Sequence, residues 1–476
     1  MTAQKTPSIV SDSDSSSGSS TALRGSIGVA GIVFLVIAAA APLTSIAGSL
    51  PVMIAIGNGS GAPLAYIVAA VVLLVFSVGY AAMSTAVTDT GAFYAYVTRG
   101  LGRPTGMGAA SLALLAYTTI QAAIYGLAAS TMQSVVVRFG GPDLPWWVWA
   151  FVLMAIVAFL GYRSIDLGAK VLGVVLVAEI ALIVALTVGV LSKGGAHGID
   201  FTSFSPSSFM SASPGIALMF AIGSFVGFEA TAIYGEEAKD PKRTIPKATY
   251  IAVITIGVLY ALGSWAVVLA YGSDEVQAAA QNDTADLTFN ATAKYLGGFA
   301  SDVMMVMLVT SLFAALLAFH NAIARYTFAL ARDGRAPQRL KSVHPKHGSP
   351  HAGSVVQTIS AIILVGVFAV VGADPVLQLF TWMAGVAIVA VLLLMVLTSI
   401  AIIVYFARHS SDDRLWHTKI APVLGALGLC GITALVVANF TTLIDGSQAM
   451  ANLFIAAIVV TLVVGVAAGL ALERRP

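Results

Sequence analysis

Between residues 27 and 472 the chain alternates long apolar runs with short polar punctuation. A helix that crosses a hydrocarbon core needs about 20 mostly apolar residues. Twelve runs approach or exceed that length: 27–56, 62–88, 106–137, 146–163, 168–191, 213–235, 248–271, 299–331, 354–372, 376–406, 420–442 and 452–472. They are longer than the ~10-residue alternating strands of a membrane barrel. The pattern therefore predicts an all-α integral membrane protein with twelve transmembrane helices. The first 26 residues are different in kind. Their serine tract "SDSDSSSGSS" cannot bury a core, so residues 1–26 are expected to form a disordered cytoplasmic tail. No short apolar stretch precedes a small-residue cleavage site there, and no signal peptide is expected.

Composition agrees. The chain is 58% hydrophobic and 10% charged, with a mean hydropathy of +0.92, whereas soluble domains are about a quarter charged. The distribution of charge says more than the net value of +2, which points to no nucleic-acid partner. If the N-terminus is cytoplasmic and the helices alternate, 21 of the 24 Lys and Arg residues fall inside, and only Arg138, Lys193 and Lys294 fall outside. This is the positive-inside pattern. It predicts a multi-pass protein of the plasma membrane with both termini in the cytoplasm. The acids Asp274, Glu275, Asp283 and Asp286 cluster in 272–298, read as a solvated outer loop. The charged run "EEAKDPKR" at 236–243 reads as a cytoplasmic helix end and turn. The lone Cys430 sits in an apolar run and excludes a disulfide framework.

Two acids break the apolar pattern, Glu179 in "GVVLVAEIALIVAL" and Glu229 in "GSFVGFEATAIYGEE". Carboxylates inside membrane spans are costly and mark functional positions. Glu229 lies among Gly223, Gly227 and Gly235. Helix 1, "GIVFLVIAAAAPLTSIAGSLPVMIAIGNG", is interrupted by Pro42, Gly48 and Pro51, with Thr44 and Ser45 between. A simple proline kink, or a Gly223/Gly227 packing face, would explain either segment alone. Helix 1 and helix 6, however, lie five helices apart in opposite orientation. Broken helices at matching positions of two inverted five-helix halves (a 5+5 inverted repeat) point to the substrate site of a secondary transporter. Unwound backbone at that depth is tolerated only where it lines a cavity or meets a ligand. Half-helix N-termini suit a carboxylate, and freed carbonyls suit an ammonium. Residues 41–48 and 223–229 are thus expected to be non-helical and to face each other across one cavity. The substrate-binding candidates are Ala41, Thr44, Ser45, Gly48, Phe225, Gly227 and Glu229. Gln121 and Tyr125 join them from a polar stripe on helix 3 begun by Tyr117. Glu229, Glu179 and His320, which stands beside Asn321 in helix 8, are the candidates for proton coupling.

Four stretches resemble the amino acid–polyamine–organocation permeases: "TGAFYAYVTRGLGR" (90–103), "SFVGFEATAIYGEEAKDPKRTIPKA" (224–248), "FHNAIARYTFALARDGRAP" (319–337) and "LKSVHPKHGSPHAG" (340–353). The resemblance spans about residues 27 to 472. It implies a leucine-transporter-like fold with helices 1–5 and 6–10 as the inverted repeats and helices 11 and 12 appended. The domains expected are therefore the tail 1–26, a transporter core 27–406, and helices 11–12 with a short C-terminus over 407–476. The chain departs from the family in helix 1, where "APLTSIAG" replaces a Gly-Ser-Gly type of break, and at Gly223, where some relatives carry a gating aromatic. Phe225 and Phe228 are the nearest aromatics. In such a fold sodium lies between helices 1 and 8. Helix 8 offers Thr310 and Ser311 there, and some relatives carry a lysine near Glu179 in place of the ion.

No HExxH, GxSxG, CxxC or Walker motif occurs, and the seven histidines show no metal-like spacing on helices. "GNGSGA" at 57–62 follows a spanning helix and not a strand, so it reads as a turn. We therefore expect no enzyme activity and no cofactor or metal. The function expected is secondary active transport of an amino acid by proton symport, with import of an amine or polyamine, or substrate exchange, as alternatives. A channel fits less well, because its selectivity groups come in rings.

Overall fold

A computed structural model describes residues 27–87, 92–163, 169–229, 231, 238–332, 334, 336–344, 349–409 and 414–473. The tail 1–26 and the acids Glu236 and Glu237 lie outside the described residues. In chain order the helices are α1 (Val29–Ala39), α2 (Leu50–Ile56), α3 (Ala62–Ala86), α4 (Ala92–Leu101), α5 (Arg103–Arg138), α6 (Trp146–Tyr162), α7 (Ala169–Lys193), α8 (Pro206–Phe209) and α9 (Pro214–Phe225). They continue with α10 (Pro241–Tyr271), α11 (Val276–Asn282), α12 (Leu287–Leu296), α13 (Gly298–Arg332), α14 (His351–Val370), α15 (Thr381–Arg408), α16 (Ala421–Ala438), α17 (Phe440–Ile444) and α18 (Gln448–Glu473). Among the described residues there is no strand, only an isolated bridge between Ile27 and Ala238.

Among the described residues ten helices are long and apolar enough to cross a membrane, counting Val29–Ile56 as one. Two shorter apolar helices, Trp146–Tyr162 and Pro214–Phe225, accompany them. Without water to drive association, such helices pack where small side chains let backbones approach. The 36-residue α5 is the central pillar, packed against α4, α6, α13, α15 and α18. Its seam with α18 is lined by glycines. A Cβ at Gly465 would stand 2.8 Å from the Cα of Gly108, so position 465 admits nothing larger than glycine. A second group comprises the broken first segment, α3, α9 and α10.

Two expectations need correction. The stretch 272–298, read as an outer loop, is no simple loop; it folds into α11 and α12. Val276, Ala280, Leu287, Phe289, Ala291 and Tyr295 form a buried face, and Gln281 Nε2 donates to Ala55 O at 2.9 Å, capping the end of α2. The charged run 236–243, read as a helix end and turn, has its last three residues inside a helix, because Pro241 opens α10. Proline at a helix's first position costs no backbone bond.

Candidate functional site

The first break follows from a backbone rule. The residue before a proline is disfavoured in the helical region. Ala41, which precedes Pro42, takes a left-handed φ of 45°, and α1 stops at Ala39. The chain then recovers helical form. Residues 42–43 are helical, Thr44–Ser49 is wound in a wider turn, and α2 follows. The break is therefore confined to Ala40–Ala41, narrower than the expected 41–48. Two of its freed groups find side-chain partners. Leu43 N donates to Glu179 Oε2 at 3.4 Å, and Tyr260 Oη donates to Ala40 O at 3.0 Å. In the wide turn, Thr288 Oγ1 of α12 donates to Ile46 O at 3.0 Å.

The second break lies at 226–229, since residues 223–225 still belong to α9. Val226 turns outward with ψ of 130°. Gly227 has φ of 111°, which a side chain would strain. A Cβ at Gly227 would also lie 3.0 Å from the Cβ of Ala39, so the two breaks are in direct contact. Gly227 N donates to Glu229 Oε2 at 2.8 Å, and Tyr80 Oη donates to Glu229 O at 2.9 Å. Each break thus presents one N–H to a carboxylate and one carbonyl to a tyrosine. An orphaned backbone group at this depth would cost several kcal/mol.

Glu179 also takes a hydrogen bond from Ser311. Ser311 Oγ in turn lies 3.4 Å from Thr44 Oγ1. A carboxylate on α7, a hydroxyl on α13 and the first break therefore meet at one point. Ser45 is 2% exposed and hydrogen-bonds Tyr260. Phe225 is fully buried, edge-on to Tyr260 with centroids 5.9 Å apart. Gly48 lines a narrow void with Val52, Leu127, Thr131, Phe289 and Leu308. No charged side chain lines that void.

The remaining candidates lie elsewhere. Gln121 is buried; its Nε2 donates to Leu316 O at 3.1 Å, and its Oε1 accepts from Gln357. These bonds join α5 to α13 and α14. Tyr125, one turn further along α5, is buried within the same pillar. Tyr117 packs on Phe319 of α13, with centroids 6.0 Å apart. His320 pairs with Ser354 Oγ of α14 at 2.7 Å. Sequence reasoning missed Tyr80, Tyr260 and Thr288. Their signal is general: a phenol buried mid-span needs a partner, and a broken helix supplies carbonyls.

Comparison with known proteins closes the assignment. The family model described as "Amino acid permease" matches residues 25–464. The chain is 23% identical to the branched-chain amino acid permease BcaP of Bacillus subtilis, over 79% of this chain and 80% of that protein. It is 24% identical to the low-affinity putrescine importer PlaP of Escherichia coli, over 64% of this chain and 66% of the importer. It is 26% identical to an uncharacterized transporter of Mycobacterium tuberculosis, over 59% of this chain and 62% of that one. With two broken apolar segments in contact and a permease model matched along nearly its whole length, the chain belongs to the amino acid permease family, among the amino acid–polyamine–organocation permeases.

Proposed function

We propose that this permease is a proton-coupled secondary transporter that moves an amino acid with an apolar side chain across the plasma membrane. It does so with twelve spans, a five-plus-five inverted repeat and both termini in the cytoplasm. The observation that carries the coupling is the seat of Glu179. Its carboxylate accepts from the freed Leu43 N–H and from Ser311, with Thr44 beside it. An ionised carboxylate there draws the first break against α7 and α13. A proton on it weakens the acceptor and releases that contact, so loading a proton and moving the break become linked events.

Two features support the substrate class. The narrow void at Gly48, in the segment that follows the first break, is lined by hydroxyls and apolar side chains only, with no charged group for a second ammonium. Among the described residues Glu179 and Glu229 each already accept a backbone N–H of a break, so neither carboxylate is given over wholly to an ammonium end of a diamine. The branched-chain relative supports the same reading; the putrescine relative favours the other.

The test is uptake into proteoliposomes under an inward proton gradient, with choline replacing sodium. Leucine accumulation is expected without sodium, with putrescine competing poorly. Glu179→Gln should lose accumulation driven by the gradient and keep leucine exchange. A sodium requirement, or gradient-driven uptake intact in Glu179→Gln, would refute the coupling. Competition by putrescine stronger than by leucine would establish the diamine reading instead.

A further inference from the structure

The partners of the two breaks are not alike. The N–H groups are held by carboxylates, which gain and lose protons. The carbonyls are held by phenols, which donate whatever the charge on the acids. The phenols also come from crossed positions. Helix α3, which follows the first break in the chain, carries Tyr80 to Glu229 O in the second. Helix α10, which follows the second break, carries Tyr260 to Ala40 O in the first. Chain connectivity and these two bonds close a circuit through the four segments. Ring contact between Phe225 and Tyr260, with centroids 5.9 Å apart, ties the circuit across its middle.

We infer that Tyr80 and Tyr260 are positioning residues, a crossed pair of fixed anchors that keep the two broken backbones in register while the carboxylates change protonation. The inference rests on the reading that the breaks hold the substrate. If they do, the backbone groups that meet the two ends of an amino acid come from different helices. Their separation must stay constant for binding to survive each proton cycle. A titrating acceptor cannot supply that constancy; a phenol bonded to the carbonyl at the break can. Removing one hydroxyl leaves a freed carbonyl to find another partner, and the break relaxes away from its mate.

The experiment is leucine counterflow in proteoliposomes, with KM and Vmax read separately and the melting temperature of the unliganded protein in detergent measured alongside. Tyr80→Phe and Tyr260→Phe are each expected to raise KM roughly threefold to tenfold, the worth of one net hydrogen bond, with Vmax retained. Tyr66→Phe is the control. Its hydroxyl lies 3.4 Å from Ser224 Oγ and touches no break carbonyl, and it should keep the wild-type KM. A merely structural role would lower the melting temperature and leave KM in place. Either tyrosine variant suffices alone if the other is not recovered folded. Gly227→Ala separates the two possible failures. If it raises KM while the tyrosine variants keep the wild-type value, the anchors are overturned and the site stands. If Gly227→Ala also leaves KM unchanged, the site reading falls and takes the anchors with it. An equal rise in Tyr66→Phe likewise overturns the inference.

Discussion

At the scale of single residues, the geometry at Glu229 turns one question into a measurement. Its Oε2 accepts from Gly227 N, two residues back along the same chain. A glutamine keeps an acceptor oxygen on a side chain of the same length, so Glu229→Gln should preserve the break and with it substrate binding. Any dependence of transport on the charge of this group would disappear, while the dependence carried by Glu179 remains. Glu229→Ala removes the acceptor and leaves a buried N–H unpaired, which costs about 1–3 kcal/mol; binding should fall with it. Thermal shift with leucine distinguishes the pair, and equal loss in both variants would mean that the charge itself holds the break. Gly227→Ala is expected to be costly for two reasons. A side chain at φ of 111° is strained by roughly 1–3 kcal/mol, and its Cβ presses on Ala39.

At the scale of elements, Pro42 makes the first break and its removal should heal it. With alanine there, residue 41 loses its reason to leave the helical region, and an N–H returns to the chain. Pro42→Ala should melt at a temperature no lower than the wild type while uptake collapses. Preserved uptake would show that the break does not depend on the proline. This much was legible in sequence, because proline, glycine and an acid in an apolar run each violate a local rule. The extent of the break was not legible. The wide turn Thr44–Ser49 depends on Thr288, 242 residues away, to donate to Ile46 O. Tyr80 and Tyr260 escaped for a similar reason, since a tyrosine in an apolar run looks like packing until its acceptor is known. The acidic stretch 272–298 looked solvated because its charges hid two short amphipathic helices. One contact outside the spanning helices carries a pH signature. The Ser273 hydroxyl and Thr202 hold the Asp200 carboxyl below the usual carboxylate range. Stabilisation from a depressed value is present at neutral pH and lost as pH falls through the folded value. Asp200→Asn should therefore melt slightly below wild type at pH 7, with the gap closing below the ordinary aspartate value of about 3.9. A gap that persists in acid would assign the effect to shape.

For the whole molecule, orientation hangs on how many segments cross. Trp146–Tyr162 has 17 residues, about 25 Å at 1.5 Å per residue, which is short of a ~30 Å core. Its tryptophans at 146, 147 and 149 can anchor one end at the interface while the bilayer thins to meet it. Pro214–Phe225 has 12 residues, about 18 Å at 1.5 Å per residue, and reaches only to the break. If both cross, Arg138, Lys193 and Lys294 share one side of the membrane and the remaining Lys and Arg lie on the other. The structure gathers two of these three at one place: Lys193 and Lys294 both lie over the ring of Tyr295. If either segment failed to cross, every later loop would change sides and basic residues would be scattered across both faces, against the positive-inside rule. The difference can be read with cysteines. Cys430 is exposed on α16, so Cys430→Ser gives a clean background. Asn282→Cys and Lys341→Cys then place single thiols at exposed positions, one at the C-terminal end of α11 and one past the end of α13. A membrane-impermeant maleimide on intact cells is expected to label position 282 and to reach 341 only after permeabilisation. Labelling of 341 in intact cells, or of both together, would sink the N-in, C-in arrangement and the twelve-span count with it.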